Sequence, residues 1–331
     1  MSNSDNSYKA KDFLSLRGMC SDDFEQLIHV AHYLKRRWRK GVHEHSLDGQ
    51  QLAMVFEKPS LRTRVSFEVG MSQLGGRAMY LSGEEVGIGK RETVEDVARV
   101  LSRYVDGIMI RTFAHEVVEG LAAAASVPVI NGLSDAYHPC QALADMLTID
   151  EHFSTMRGLK VVFIGDANNV ARSLAWACHL VGSTFVLACP QDYAFAAADR
   201  EDFAEAWGSS ISQVHDPRTA VEGAHVLYTD VWTSMGQEEE RDRRLQAFQG
   251  YQINATMLEW ADPSCKIMHC LPAHRGEEIT ADALEGASSI VFDQAENRLH
   301  AQKAVMRVLM GGDRERLFAA VAADMQRPVN A

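Results

Sequence analysis

The stretch Phe56-Glu57-Lys58-Pro59-Ser60-Leu61-Arg62-Thr63-Arg64 sets two hydroxyls and two guanidinium groups directly behind an apolar run and a short turn. Leu52–Phe56 reads as a buried strand, Glu57-Lys58-Pro59 as a turn, and Ser60 as the opening of a helix. A helix N-terminus presents unpaired backbone N–H groups and a positive dipole end, so it favours anions. A cap hydroxyl at Ser60, a second hydroxyl at Thr63 and the Arg62 fork turn it into an oxyanion cradle, and the ligand it suits is a phosphate group. Arg62 and Arg64 are two positions apart and diverge on a helix. Arg62 is therefore assigned to the ligand and Arg64 to the structure.

Further reactive groups accumulate where apolar runs end. Arg111 follows Gly107–Ile110, and His138-Pro139-Cys140-Gln141 comes shortly after Val127–Ile130. Asn168-Asn169 follows Val161–Gly165, Asp230 follows Val226–Thr229, and Cys270 closes Lys266–Cys270. Ligands of open α/β sheets bind beyond the carboxyl ends of the strands, so a cleft between two such halves is the expected site.

The elements that must position these groups alternate along the whole chain, which marks an α/β fold. Expected strands are Leu52–Phe56, Arg77–Leu81, Gly107–Ile110 and Val127–Ile130 in the first half. In the second they are Lys160–Ile164, Thr184–Cys189, His225–Thr229, Lys266–Cys270 and Ser289–Phe292. Val94, Val97, Ala98, Leu101 and Val105 fall on one helical face within Thr93–Asp106. A helix from Asn168 to Val181 ends near Gly182. Another starts after His138-Pro139, reaches about His152 and joins the two halves, and a last one, from about Glu296 to Met310, crosses back. The expected architecture is two α/β domains, each a mostly parallel sheet flanked by helices, joined by interdomain helices. Residues 1–147 form the first, with about 296–331 packing back on it, and 148–295 form the second.

Composition narrows the class. The chain has 331 residues, 46% hydrophobic and 24% charged, with a formal net charge of -12. That charge argues against sequence-independent nucleic-acid binding, which needs a basic face. It leaves room for a basic pocket. Cys20, Cys140, Cys178, Cys189, Cys265 and Cys270 are scattered, without CxxC pairs, as in a cytoplasmic protein with reduced thiols. No apolar run reaches the roughly 18 residues of a membrane span.

SLRTR, HPCQ, DVWTSMG, HCLP and AENR, in this order and at these separations, resemble the ornithine carbamoyltransferases over about Asp12 to Met310. The resemblance implies transfer of the carbamoyl group of carbamoyl phosphate to L-ornithine, giving L-citrulline and phosphate. It implies no cofactor and no metal, and a homo-oligomer that is a trimer or a multiple of trimers. Ser60, Leu61, Arg62 and Thr63 would bind the phosphate, Arg111 would bridge phosphate and carbonyl oxygens, and His138 and Gln141 would hold the carbamoyl group. The backbone at Cys270 and Leu271 would receive the carbamoyl NH2, and Arg298 would add a positive contact. Asp230 would pair with the α-ammonium of ornithine, while Asn169, Ser234 and Met235 would hold its amino-acid end. Arg111, His138, Asp230 and Cys270 would be the catalytic groups.

Two positions depart from the family pattern. Leu61 stands where many relatives have threonine, and Gly87 where many have a polar residue, often Gln, in a loop that reaches a neighbouring subunit. Lys90 and Arg91 are candidate substitutes for the missing side chain. Both departures fall on the carbamoyl phosphate side. In this the chain resembles the toxin-insensitive ornithine carbamoyltransferases, whose cradle rejects an inhibitor mimicking both substrates.

Competing readings of the same residues are weaker. His138, Cys140, His269, Cys270 and His274 suggest zinc, but the two groups are over a hundred residues apart and lack ligand-pair spacing. Val161–Val170 resembles the start of a dinucleotide unit, yet it has one glycine and no GxGxxG. Glu238-Glu239-Glu240 reads as a solvated acidic face. A carbamoyltransferase acting on putrescine or an N-acylornithine would give Asp230 no α-ammonium to pair with. A non-catalytic carbamoyl phosphate-binding relative should have lost some of Arg62, Arg111, His138, Gln141, Cys270 and Arg298, and all six are present.

Overall fold

The computed structural model describes residues 10–326 apart from 234, 235 and 237. Ser234 and Met235, two of the expected ornithine contacts, therefore lie outside the described residues. The chain divides into two units. One comprises the residues up to Leu147 together with those from Asn297 onward, and the other is Thr148–Glu296.

The first unit runs in chain order α1 Ser21–Arg39, β1 Gln51–Phe56, α2 Leu61–Gln73, β2 Arg77–Ser82, α3 Gly83–Val86, α4 Val94–Leu101, β3 Gly107–Arg111, α5 His115–Ala124, β4 Val129–Leu133 and the start of α6 Pro139–Phe153. The second continues with β5 Lys160–Ile164, α7 Asn169–Leu180, β6 Thr184–Ala188, α8 Ala197–Phe203, β7 Ile211–Val214, α9 Pro217–Val221, β8 Val226–Thr229, α10 Arg241–Ala247, α11 Ala255–Trp260, β9 Lys266–His269 and α12 Ala281–Glu285. It ends within α13 Val291–Met310, whose remainder belongs to the first unit with α14 Arg314–Met325.

The first sheet is parallel with strand order β2-β1-β3-β4. Its inner strands are apolar almost throughout because both faces are covered, as parallel sheets require. Ala53, Val55, Ile108 and Ile110 pack on one face against Val97, Ala98, Val118 and Leu121. The edge strand β2 is the most solvated, with no residue fully buried. The order reverses between β1 and β3, where Phe56 and Arg111 are register partners.

The second sheet is also parallel, in the order β7-β6-β5-β8-β9. Its reversal lies between β5 and β8. Ile164 pairs with Thr229, and Thr229 with His269, so the three strands end side by side.

Two features correct the sequence expectations. Ser289–Phe292 is not a strand: Ser289 makes a single bridge to Ile267, and α13 already begins at Val291. The apolar run belongs to a helix start, with Phe292 65% exposed, a pattern that periodicity over four residues does not resolve. The strand β7 was not foreseen, since Ile211-Ser212-Gln213-Val214 is a short edge strand with only Ile211 fully buried.

Candidate active site

In the first unit the switch point between β1 and β3 carries the residues expected to form an oxyanion cradle. Ser60 has extended backbone and caps α2, its Oγ accepting from the Thr63 N–H at 3.3 Å and donating to Thr63 Oγ1 at 3.1 Å. Leu61 is the first helical residue and is 76% exposed, so its side chain turns to solvent while its N–H remains one of the unpaired groups of the helix start. Leucine at this position costs no backbone donor. Arg64 is engaged elsewhere: it pairs with Glu68 at 3.0 Å and stacks over the Tyr80 ring at 4.2 Å.

Arg111 ends β3 at a break in register between Ile110 and Arg111, and its carbonyl accepts from Glu57 N–H at 2.9 Å. The first turn of α6 brings in His138 and Gln141, both buried. Burial, followed by the charges of Arg298, Arg111 and Arg62, holds the His138 imidazole well below its ordinary range. Three of the expected arginines thus act on His138. The ring is neutral at pH 7 and offers a single N–H, an electrophile rather than an acid. Arg298 Nη1 donates to Gln141 Oε1 at 2.6 Å, and its Nη2 to Thr63 Oγ1 at 3.4 Å. Three guanidinium groups around a neutral histidine make a local basic pocket in a chain of net charge -12. Cys140 takes no part: burial pushes its thiol up to about 12.

Gly87 has a structural reason of its own. It closes α3 in the left-handed region at φ 67°, and an added Cβ would meet Arg91 Cβ and Cδ at 3.0 Å. Arg91 itself donates to the Glu85 carbonyl at 3.2 Å.

In the second unit, the ends of β5, β8 and β9 assemble a second constellation. Asp230 follows β8, and its carboxylate accepts from three donors. These are the Cys270 thiol at 2.9 Å and the Val231 N–H at 2.8 Å on Oδ1, and Asn168 Nδ2 at 3.0 Å on Oδ2. A carboxylate has about four lone-pair sites, so room for one further donor remains on Oδ2. Asn168 also caps α7, its Oδ1 accepting from Val170 and Ala171 N–H at 3.0 Å each. Asn169, the expected ligand contact, is the first residue of that helix.

The turn after β9 is equally fixed. Leu271 N–H donates to His269 Nδ1 at 2.8 Å, and His269 Nε2 faces Glu278 Oε1 at 3.0 Å, with both side chains buried. Leu271 has φ 56°, in the left-handed region, and the Leu271–Pro272 peptide is cis. Arg244 anchors the start of the Asp230 loop. Its Nη1 reaches Asp166 Oδ2 at 2.8 Å and the Trp232 carbonyl at 3.0 Å, and its Nε pairs with Glu240 at 3.0 Å. Burial raises the Asp166 carboxyl above its usual range, and Arg244 opposes that shift. Where a dinucleotide fold would seat a pyrophosphate, this turn carries a largely buried Asp166–Arg244 ion pair.

Asp230, His269 and Cys270 hold donor atoms within 4.8 Å of one another, as do His274, Glu277 and Glu278. In the first group Asp230 and Cys270 are already bonded together and both ring nitrogens of His269 are engaged, so a metal ion would have to displace those bonds.

Sequence reasoning missed Asn168 as the link to Asp230, Arg244 as the anchor of its loop, and Asp145, which accepts from Gln141 Nε2 at 2.8 Å. Only Asn168 carried a usable signal, as the polar residue preceding a helical pattern.

The arginine-rich arrangement lies in one unit and the thiol–carboxylate cluster in the other, and two family models divide the chain in the same way. The family model for the carbamoyl-P binding domain of aspartate/ornithine carbamoyltransferase matches residues 11–151, and that for its Asp/Orn binding domain matches residues 157–309. The chain belongs to the aspartate/ornithine carbamoyltransferase family. Within it, the chain is similar to the ornithine carbamoyltransferase of Syntrophotalea carbinolica, 51% identical over 300 residues covering 91% of this chain and 99% of the relative. It is also similar to that of Symbiobacterium thermophilum, 48% identical over 305 residues covering 91% and 98%. The solved ornithine carbamoyltransferase of Pyrococcus furiosus superposes with a TM-score of 0.87 at 49% identity, covering 91% of this chain and 97% of that one.

Proposed function

We propose that the chain transfers the carbamoyl group of carbamoyl phosphate to the δ-amine of L-ornithine, releasing L-citrulline and phosphate. The observation that carries this reading is the Cys270–Asp230–Asn168 cluster, which gives an amino-acid substrate a carboxylate with room for one more donor.

Ser60, the N–H groups at Leu61 and Arg62, and the Thr63 hydroxyl hold the phosphate, together with the Arg62 and Arg298 guanidiniums. Arg111 bridges phosphate and carbonyl oxygens. His138 donates its one N–H to the carbonyl oxygen, where negative charge develops as the amine attacks, so a fixed neutral donor there lowers the barrier. Gln141 and the backbone at Cys270 and Leu271 hold the carbamoyl NH2. Asp230 takes the α-ammonium, and Asn169, Ser234 and Met235 hold the amino-acid end.

The δ-ammonium must first lose a proton, since its lysine analogue has a reference pKa of about 10.4. Cys270 and Asp230 are the local groups that assist. The neutral nitrogen then attacks the carbamoyl carbon, the C–O bond to phosphate breaks, and the second nitrogen proton leaves with the phosphate. Alignment of two bound substrates removes an entropic cost that can reach about 7–11 kcal/mol. No covalent enzyme intermediate is needed.

The family resemblance supports a homotrimeric assembly, or a multiple of it, and the scattered free thiols support a cytoplasmic location. No described helix is long and apolar enough to cross a membrane. The test of the function is a carbamoylation assay across candidate amines.

A further inference from the structure

Arg298 is seated by a chain of side chains that ends on a carboxylate outside the expected site. Asp145 lies one helical turn after Gln141 on α6, and Asp145, Gln141, Arg298 and Thr63 are all buried. Asp145 Oδ1 accepts from Gln141 Nε2 at 2.8 Å, Gln141 Oε1 accepts from Arg298 Nη1 at 2.6 Å, and Arg298 Nη2 reaches Thr63 Oγ1 at 3.4 Å.

The ends of this chain dictate its middle. A guanidinium only donates, and the Asp145 oxygen facing Gln141 accepts. The amide nitrogen must therefore face Asp145 and the amide oxygen Arg298. Rotating the amide by half a turn would place oxygen against oxygen and N–H against N–H, two repulsive contacts in a buried setting where unmade hydrogen bonds are costly.

We propose that Asp145 is a positioning residue for carbamoyl transfer: it sets the orientation of the Gln141 amide and, through it, the seat of Arg298 against Thr63. The inference rests on the reading of this half-site as the carbamoyl phosphate site. With the amide so oriented, the second lone pair of Gln141 Oε1 is directed by Asp145 rather than by the ligand, so the acceptor for the carbamoyl NH2 exists before substrate arrives. An asparagine at 145 can still accept through its own oxygen, whereas an alanine cannot.

The test compares wild type, Asp145→Asn, Asp145→Ala, Gln141→Glu and the double variant Gln141→Glu/Asp145→Asn. Steady-state kinetics in both substrates and calorimetric titration with carbamoyl phosphate are measured on each. Asp145→Ala is expected to raise KM for carbamoyl phosphate at least about tenfold and leave KM for ornithine within about twofold, while Asp145→Asn stays within about threefold of wild type throughout. A lowered melting temperature with unchanged KM for carbamoyl phosphate would overturn the proposal, because a merely structural role predicts that pattern. If Asp145→Ala does not fold, the double variant decides. Gln141→Glu sets two carboxylates against each other, and adding Asp145→Asn should restore at least about tenfold of the lost kcat/KM, because the asparagine amide can donate to the introduced carboxylate. No rescue would count equally against it. A wild-type protein that neither binds carbamoyl phosphate nor carbamoylates ornithine would overturn the functional reading itself, whereas a normal wild type with an unaffected Asp145→Ala overturns only the role of Asp145.

Discussion

The Cys270 thiol donates to Asp230 Oδ1 at 2.9 Å, joining the residues that follow two adjacent strands, β9 and β8. Parallel register brings them together: Thr229 pairs with His269, so the residue after each strand emerges at the same edge of the sheet. The pair places a polarised sulfur beside a carboxylate that retains one free acceptor position, the combination suited to an α-amino acid carrying a second amine.

Replacing Cys270 by alanine should therefore separate chemistry from binding. The kcat is expected to fall by about a hundredfold or more, the usual span for loss of a proton-transfer group. The dissociation constant of carbamoyl phosphate, measured by calorimetry, should stay within about threefold, a change of under 1 kcal/mol. Loss of carbamoyl phosphate binding would contradict the role given to Cys270.

Asn168 offers a second separation, because its oxygen caps α7 and its nitrogen holds Asp230. Asn168→Asp keeps the cap but sets a second carboxylate against Asp230. KM for ornithine should rise about tenfold or more, which is about 1.4 kcal/mol, with little loss of thermal stability. Asn168→Ala should also lower stability, by about 1 kcal/mol for the lost cap. Calorimetric melting and steady-state kinetics on both variants test the assignment.

The depressed His138 imidazole makes a pH prediction. Its folded-state pKa lies below the unfolded reference of 6.5. Between those two values the unfolded chain binds the extra proton, so stability is retained above about pH 6.5 and lost as pH falls from there toward the folded value. Histidine NMR should show no protonation of His138 across about pH 7.5 to 6, where free histidine titrates. His138→Gln should remove this share of the acid destabilisation. A ring that titrates near its ordinary value would contradict the neutral-donor role.

The resemblance to inhibitor-insensitive relatives at Leu61 and Gly87 makes a prediction of its own. Gly87→Gln must hold a side chain at φ 67° beside Arg91, and about 1 kcal/mol of destabilisation is expected from leaving glycine there. If the missing side chain underlies insensitivity, the same variant binds an inhibitor that joins both substrates more tightly, as read by inhibition kinetics. Unchanged inhibition would count against that assignment.

The strand and the Ser60-capped helix start of the expected cradle were legible in the sequence because their signals are local: an apolar run, a cap hydroxyl and charged residues within one turn. The arrangement around Asp230 was legible in part. Asp230 and Cys270 could be placed at strand ends, but the bond between them depends on strand order, which the sequence does not display. Asn168 and Asp230 are 62 positions apart, and Arg298 and Gln141 are 157 apart. Arg244 sits in an arginine-rich helix that reads as surface charge, next to the acidic stretch Glu238–Glu240, yet it is buried on Asp166. Asp145 looks like any polar residue on a helix until its partner's partner is known.

The most direct test of the account is one assay in which the protein and carbamoyl phosphate are supplied in parallel with ornithine, putrescine, N-acetylornithine and aspartate, and the carbamoylated product is measured. Ornithine should be preferred in kcat/KM by at least about tenfold, a gap of about 1.4 kcal/mol in transition-state binding. Equal or better use of any other amine would contradict the assignment of Asp230 to the α-ammonium and with it the central reading of the site.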